Sequence, residues 1–280
     1  MHQKKLTIPD IRHRKNGTPI SVLTAYDYPW GRLVDAAGID IALVGDSLGM
    51  VVLGYPDTVS VTMEEMIHHS KAVVRGVEHA LVVTDMPFGS YNSSMPAAIN
   101  NATRLLKEGR ADAVKVEGGV AMAETVAAIV RAGIPVQGHI GLTPQTATSL
   151  GGFKVQGKSA HAAQQLLDDA RALEEAGCFS IVLEAIPAPL AEHITKAISI
   201  PTIGIGAGPG CDGQVLVIHD LVGLYDRFTP KFVKQYARIN EQVAAALAQY
   251  KAEVESRAFP DEAHSFSMKA EEMDKLLQLY

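Results

Sequence analysis

Short apolar stretches that stop on an acid recur along this chain, and helical stretches separate them. Residues 41–49 read IALVGDSLG, so four apolar positions run into Gly45, Asp46 and Ser47. LVVTD ends on Asp85, AVKVE on Glu117 and IVLE on Glu184. Such short apolar runs are strands with both faces buried, as a parallel sheet packed between helices requires. The intervening segments carry helix punctuation. Thr62 opens a T-x-x-E box with Glu65, Ser94 and Ser159 stand at N-cap positions, and Gly76, Gly109, Gly133 and Gly177 close the helices.

Strands are expected at residues 19–26, 41–44, 80–84, 113–117, 135–140, 179–183, 201–206 and 214–221. Helices are expected at 8–15, where Asp10 is a possible cap or part of a turn with Pro9, then at 28–37, 62–76, 94–109, 120–133, 159–177 and 187–197. Helix is also expected from Pro230 to about Ser256, and an amphipathic one within 270–279. Eight βα alternations in one chain of this length fit a (β/α)8 barrel, with an open doubly wound sheet as the competing arrangement. No linker-like run interrupts the alternation. The expectation is a single α/β barrel domain over residues 1–280 with additional C-terminal helices, the last part from about 257 being an extension.

Hydrophobic residues make up 47% of the 280, enough for a large core, and the net charge of −6 argues against nucleic acid or an anionic membrane as partner. Cys178 and Cys211 are isolated and read as reduced thiols. The first residues lack the apolar core of a signal peptide, and no apolar run approaches the roughly 20 residues of a membrane span. These features predict a soluble cytoplasmic protein.

In a (β/α)8 barrel the active site forms at the C-terminal strand ends, which is where the four acids fall. One acid after a strand is ordinarily a loop residue or a cap. Four from separate strands repel one another unless a cation neutralises them or some are protonated. An all-oxygen donor set suits a hard cation, Mg2+, which fills its octahedron with water and substrate oxygens. Lys115 and Glu117 are two apart on one strand and share a face. Facing inward, Lys115 meets the acids or an anionic substrate; facing outward, Val114 and Val116 fill the barrel instead. The inward arrangement is favoured because it pairs the charges. His139, at the end of the fifth strand, is either a hydrogen-bond donor or general acid, or a packed structural histidine. His219 and Asp220, on the eighth strand, have no clear partner. Gly204–Gly210 (GIGAGPG) departs from G-x-G-x-x-G and lacks the following helix and acid, so a tight barrel loop is the better account.

The motifs LVGDSLGM, TDMPF, VKVEGG, GHIGLTPQ, GGFKVQG, LEAIP, IGIGAG and ESRAFPDEAHSF occur in order from about Thr24 to Phe266. Together they resemble the ketopantoate hydroxymethyltransferase family. The resemblance implies a (β/α)8 barrel of the phosphoenolpyruvate/pyruvate type. It implies transfer of a one-carbon unit from 5,10-methylenetetrahydrofolate to 3-methyl-2-oxobutanoate, giving 2-dehydropantoate for pantothenate and coenzyme A synthesis. It also implies Mg2+ and a homodecamer with exchanged C-terminal segments. By the same resemblance the metal ligands fall on Asp46, Asp85 and Glu117, the last directly or through water. The keto-acid contacts fall on Asp46, Ser47, Asp85 and Lys115, and the catalytic acid/base on Glu184. The residues after Phe266, SMKAEEMDKLLQLY, extend past the family's usual end. Two rivals stand beside this reading. One is a Mg2+-dependent C–C lyase of the same superfamily, whose KKCGH-like loop is absent here. The other is a non-catalytic barrel.

Overall fold

The structure, a computed structural model, describes residues 4–279. Met1, His2, Gln3 and Tyr280, at the limits of the domain expected over 1–280, lie outside the described residues. The chain enters through α1 (Ile8–Arg12), then β1 (Ile20–Thr24), α2 (Tyr28–Ala36), β2 (Ile41–Val44), α3 (Leu48–Val51) and α4 (Met63–Gly76). There follow β3 (Leu81–Asp85), α5 (Met95–Lys107), β4 (Ala113–Glu117), α6 (Ala123–Arg131) and β5 (Val136–Gly141). The remainder is α7 (Ala160–Glu175), β6 (Ser180–Glu184), α8 (Ala188–Ala197), β7 (Thr202–Ile205), β8 (Gly213–Leu216), α9 (Ile218–Leu221), α10 (Ile239–Glu255) and α11 (Ala270–Leu277). The eight strands close in sequence order into one parallel barrel.

The two faces of each strand divide the core. Ala42, Val44, Val82, Val114 and Val116 pack outward against the helices. Ile20, Val22, Ile41, Leu43, Leu81, Val83, Ala113, Val182, Ile203 and Val215 fill the interior. Ile11 of α1 joins this interior group and is fully buried, so α1 closes the N-terminal end of the barrel. Burying that side chain contributes roughly 2 kcal/mol. The caps expected at Thr62, Ser94 and Ser159 are made: each side-chain oxygen accepts a backbone N–H of its helix's first turn. Asp10 is the third residue of α1 and accepts the N–H of Thr7 at 2.9 Å, completing a box that Thr7 begins.

Three expectations are corrected. The eighth strand does not run from 214 to 221. It ends at Leu216 because the Ile218 N–H turns aside to Thr24 Oγ1, and the chain enters α9. His219 and Asp220 therefore sit on a short helix. Residues 230–238 are not helical, since the Tyr236 and Ile239 N–H groups donate to Leu221 and Val222 carbonyls and the helix begins only at α10. The expected helix over 120–133 begins as a 3-10 turn at Val120–Met122 before α6.

Candidate active site

Register decides which side chains meet at the barrel mouth. Asp85 pairs with Lys115 across β3 and β4, Glu117 with His139 across β4 and β5, and Gly141 with Glu184 across β5 and β6. Side chains alternate along a strand, so Ala113, Lys115 and Glu117 all point inward, with Val114 and Val116 outward. Asp46 and Ser47 arrive from the turn between β2 and α3. That turn starts at Gly45, where a Cβ would stand 2.8 Å from Ser47 Oγ and 3.6 Å from Asp85 Oδ2, so a side chain there would push into the site.

The structure brings together every residue the sequence singled out at this end. Asp46, Ser47, Asp85, Lys115, Glu117, His139 and Glu184 line one cavity of about 740 Å3. Lys115 Nζ lies 3.1 Å from Asp85 Oδ1 and 3.9 Å from Glu117 Oε1. The Asp46 N–H donates to Asp85 Oδ2 at 3.1 Å, drawing the two aspartates together. Ser47 Oγ shares a 2.8 Å hydrogen bond with Tyr26 OH. His139 stands between two acids, with Nδ1 3.2 Å from Glu117 Oε1 and Nε2 3.1 Å from Glu184 Oε2, the latter contact not aligned as a hydrogen bond.

The charge states follow from burial and neighbours. Burial and then repulsion by Asp85 and Glu117 push the Asp46 carboxyl well above its usual range. Burial raises Asp85 too, against the opposing pull of Lys115 and the Asp46 amide. Glu117 goes the other way. Burial is outweighed by His139, Lys115 and the Gln145 amide, and its pKa is lowered. Burial disfavours the Lys115 ammonium, but Asp85, Glu117 and Asp46 around it raise its pKa and keep it charged. His139 is opposed by burial and by Lys115, whose Nζ lies 3.2 Å from its Nδ1, yet Glu117 and Glu184 bring it up to about 9.

A hard cation fits this donor set. Among the described residues, Asp85 Oδ1 is buried with no aligned hydrogen bond, its only close charge being Lys115 Nζ at 3.1 Å, and Asp46 and Asp85 are held side by side at a cost that a cation would remove. Glu117 is already engaged by His139 and by the Gln145 N–H at 3.1 Å. Among the described residues no three His, Cys, Asp or Glu side chains form a complete metal cage. Asp46 and Asp85 offer two carboxylates, the number that Mg2+ commonly takes from protein, the rest of its octahedron being water and substrate oxygens.

Two supporting residues escaped the sequence reading. Gln145 Nε2 donates to Asp46 Oδ2 at 2.8 Å and to the Met86 carbonyl at 2.9 Å, while its Oε1 accepts from Tyr91 OH at 2.5 Å. Gln145 thereby ties Asp46 and Glu117 to one loop. Its only signal is its place in the long Gly- and Thr-rich loop after β5; nothing local marks Tyr91. His219, read as unpartnered, packs its ring against Tyr26 at 5.3 Å and Trp30 at 5.9 Å, which is a structural role.

Fold and site together define an enzyme of the class that places an acid cluster at the mouth of a closed (β/α)8 barrel. Solved structures share the architecture. Phosphonopyruvate hydrolase, in a complex with oxalate and Mg++, superposes with a TM-score of 0.61 at 12% identity, covering 98% of each chain. The 2,3-dimethylmalate lyase of the PEP mutase/isocitrate lyase superfamily gives 0.57 at 15% identity, covering 98% of this chain and 95% of the other. Sequence is more specific. The family model described as Ketopantoate hydroxymethyltransferase matches residues 5–262. A 3-methyl-2-oxobutanoate hydroxymethyltransferase from Heliobacterium modesticaldum is 64% identical over 266 residues, 95% of this chain and 96% of that one. Another from Moorella thermoacetica is 61% identical over 265 residues, 94% and 98% of the two chains. The chain belongs to the ketopantoate hydroxymethyltransferase family and is a hydroxymethyltransferase. That membership removes the lyase and the non-catalytic barrel as rivals.

Proposed function

We propose that this enzyme adds the one-carbon unit of 5,10-methylenetetrahydrofolate to C3 of 3-methyl-2-oxobutanoate, giving 2-dehydropantoate for pantothenate and coenzyme A synthesis in the cytoplasm. The net reaction replaces the C3 hydrogen by CH2OH, the hydroxyl oxygen coming from water. The observation that supports this best is the division of acids at the mouth. Asp46 and Asp85 are crowded and cation-seeking, Glu117 is held in place by Gln145 and His139, and Glu184 is left at the cavity edge with His139 behind it.

Asp46, Asp85 and Glu117 would hold Mg2+. That ion supplies Lewis-acid stabilisation of the keto oxygen as negative charge develops there. Lys115 Nζ and Ser47 Oγ face the same space and would bind the keto-acid oxygens, Ser47 being oriented by Tyr26. Glu184 Oε2 would take the C3 proton. His139, between Glu117 and Glu184, stands beside that base and would offer a path for the proton afterwards.

The test is exchange of the C3 hydrogen with deuterium from solvent, followed by NMR without folate. Wild-type enzyme with Mg2+ exchanges it, and Glu184→Gln binds the keto acid normally but exchanges about 10^3-fold more slowly. Near-normal exchange in the variant removes Glu184 from this role. A turnover assay with the folate donor, with and without Mg2+, checks the complete reaction.

The same reading includes a homo-oligomer, a decamer with exchanged C-terminal segments. α10 has no buried side chain in the single chain, and Val243, Leu247, Tyr250 and Val254 project from it exposed at spacings of four, three and four. An apolar trough of about 630 Å3 runs along β8 and β1, lined by Leu23, Leu33, Val34, Val222 and Tyr236. The α10 of another copy suits that trough.

A further inference from the structure

The cavity is far larger than a branched five-carbon acid, and its two ends differ in chemistry. The closed end holds the acids. The open end is lined by Phe153, Lys154 and Val155 from the loop after β5, and by Phe228, Lys231 and Phe232 from the segment after α9. Phe153, Phe228 and Phe232 are exposed, three phenyl rings around one opening. Exposed apolar groups gathered in this way mark a surface that something covers. Phe232 is set in place by β7: a Cβ on Gly206, which has φ +62°, would stand 2.7 Å from its ring. Among the described residues, neither Lys154 nor Lys231 forms an ion pair. Among the described residues, the one acid lining the cavity apart from the four strand-end acids is Asp220, whose pKa burial raises to about 6.

We infer that this rim is the binding site of the folate donor, with Phe153, Phe228 and Phe232 against its ring systems and Lys154 and Lys231 taking the carboxylates of its glutamate tail. The inference rests on the reaction proposed above. A tetrahydrofolate has a flat heterocycle and an aminobenzoyl ring at one end and carboxylates at the other, and it carries its one-carbon unit between N5 and N10, at the ring end. The ring end must therefore reach inward to C3 of the keto acid. The tail is left at the opening, where it is drawn to the rim lysines. Aromatic side chains offer rings stacking without demanding a fixed hydrogen-bond pattern.

The experiment titrates tetrahydrofolate, which carries no one-carbon unit, into enzyme saturated with 3-methyl-2-oxobutanoate and Mg2+, using calorimetry. Folate-independent C3 hydrogen exchange is measured on the same samples. In the Lys154→Glu/Lys231→Glu double variant exchange stays within about twofold of wild type, while the Kd for tetrahydrofolate rises about tenfold or more. The loss is larger for the triglutamate than for the monoglutamate and shrinks with added salt. Phe232→Ala weakens both forms equally, because it removes ring contact and no charge. Lys154→Gln/Lys231→Gln gives a smaller loss in the same direction. An unchanged Kd and an unchanged tail-length dependence in the double variant overturn the assignment of the lysines. Wild-type enzyme that exchanges the keto acid but binds no tetrahydrofolate overturns the donor itself, and wild-type enzyme that does not exchange overturns the underlying reaction.

Discussion

β2 has an aspartate at each end, and the two do opposite things. Asp40, before the strand, is fully provided for: its Oδ2 accepts the Ser21 N–H and Oγ at 2.8 Å each, and its Oδ1 meets Arg14 at 2.9 Å. Asp46, beyond the strand, faces Asp85 and Glu117 across the cavity, and its carboxyl is pushed toward the neutral form. β4 repeats the contrast. Asp112 accepts the Val82 N–H and pairs with Lys5, both at 2.8 Å, whereas Glu117 at the other end belongs to the acid cluster. Before β8, Asp212 accepts the Thr202 and Asn16 N–H groups and Lys15 Nζ at 2.9–3.0 Å. Acids at the strand beginnings join neighbouring strands, and acids at the strand ends oppose one another. Stability and function are thus separated along the barrel axis, and the local conflict is confined to the end that meets ligand.

Exchanging the effects would break this division. Asp85→Asn should lower turnover by about 10^3-fold. Its urea midpoint should change little, because the loss of the Lys115 pair is offset by relief of the repulsion from Asp46 and Glu117, which remain to pair with Lys115. A large loss of stability would show that Asp85 is structural. Asp212→Ala should do the reverse. It breaks a buried ion pair and leaves three donors unmet, costing about 3 kcal/mol in urea unfolding, while kcat stays within about threefold. Gln145→Leu probes the border between the two behaviours. It should lower kcat about tenfold and cost about 1–3 kcal/mol in urea unfolding, because Tyr91 OH and the Met86 carbonyl lose their buried partner, and calorimetry should show weaker Mg2+ binding, since Asp46 loses its orienting donor. Equal Mg2+ affinity in that variant would mean that Asp46 is positioned without it.

The smallest effect belongs to Asp35, which accepts the N–H groups of Glu78, His79 and Ala80 at the entry to β3. Burial opposes its ionisation, but those three amides prevail and its pKa is lowered from 3.8. A lowered folded-state pKa means that its stabilisation is complete above the unfolded value and is lost as pH falls through the folded one. Asp35→Ala should cost about 1–2 kcal/mol near pH 7, allowing for partial exposure, and nothing once the pH is well below 3.8. A difference that persists undiminished in acid would mean the loss comes from packing.

The barrel and its mouth acids were legible because both leave local marks. A doubly buried strand is a short apolar run, and an acid directly after it stands out. The inward Lys115 followed from the spacing of two to Glu117. Gln145 and Tyr91 were not legible, because their importance comes from register between β4, β5 and the loop beyond, which no local pattern encodes. Asp40, Asp112 and Asp212 stand next to strands as plainly as Asp46 does, but acids before strands resemble ordinary turn residues. The end of β8 was misread because QVLVIHDL is apolar enough for a longer strand, and what stops it is a side chain 194 positions away, Thr24.

Ile11 gives the barrel a consequence for the timing of the reaction. With α1 wedged into one end, the acid-lined chamber opens at the other, where Phe153, Phe228 and Phe232 frame a doorway. Whatever lodges at the bottom must enter before whatever fills the doorway, and it can leave only after the doorway clears. Under the proposed reaction, the keto acid would be admitted first, the folate would shut it in, and the finished product would queue behind the spent carrier.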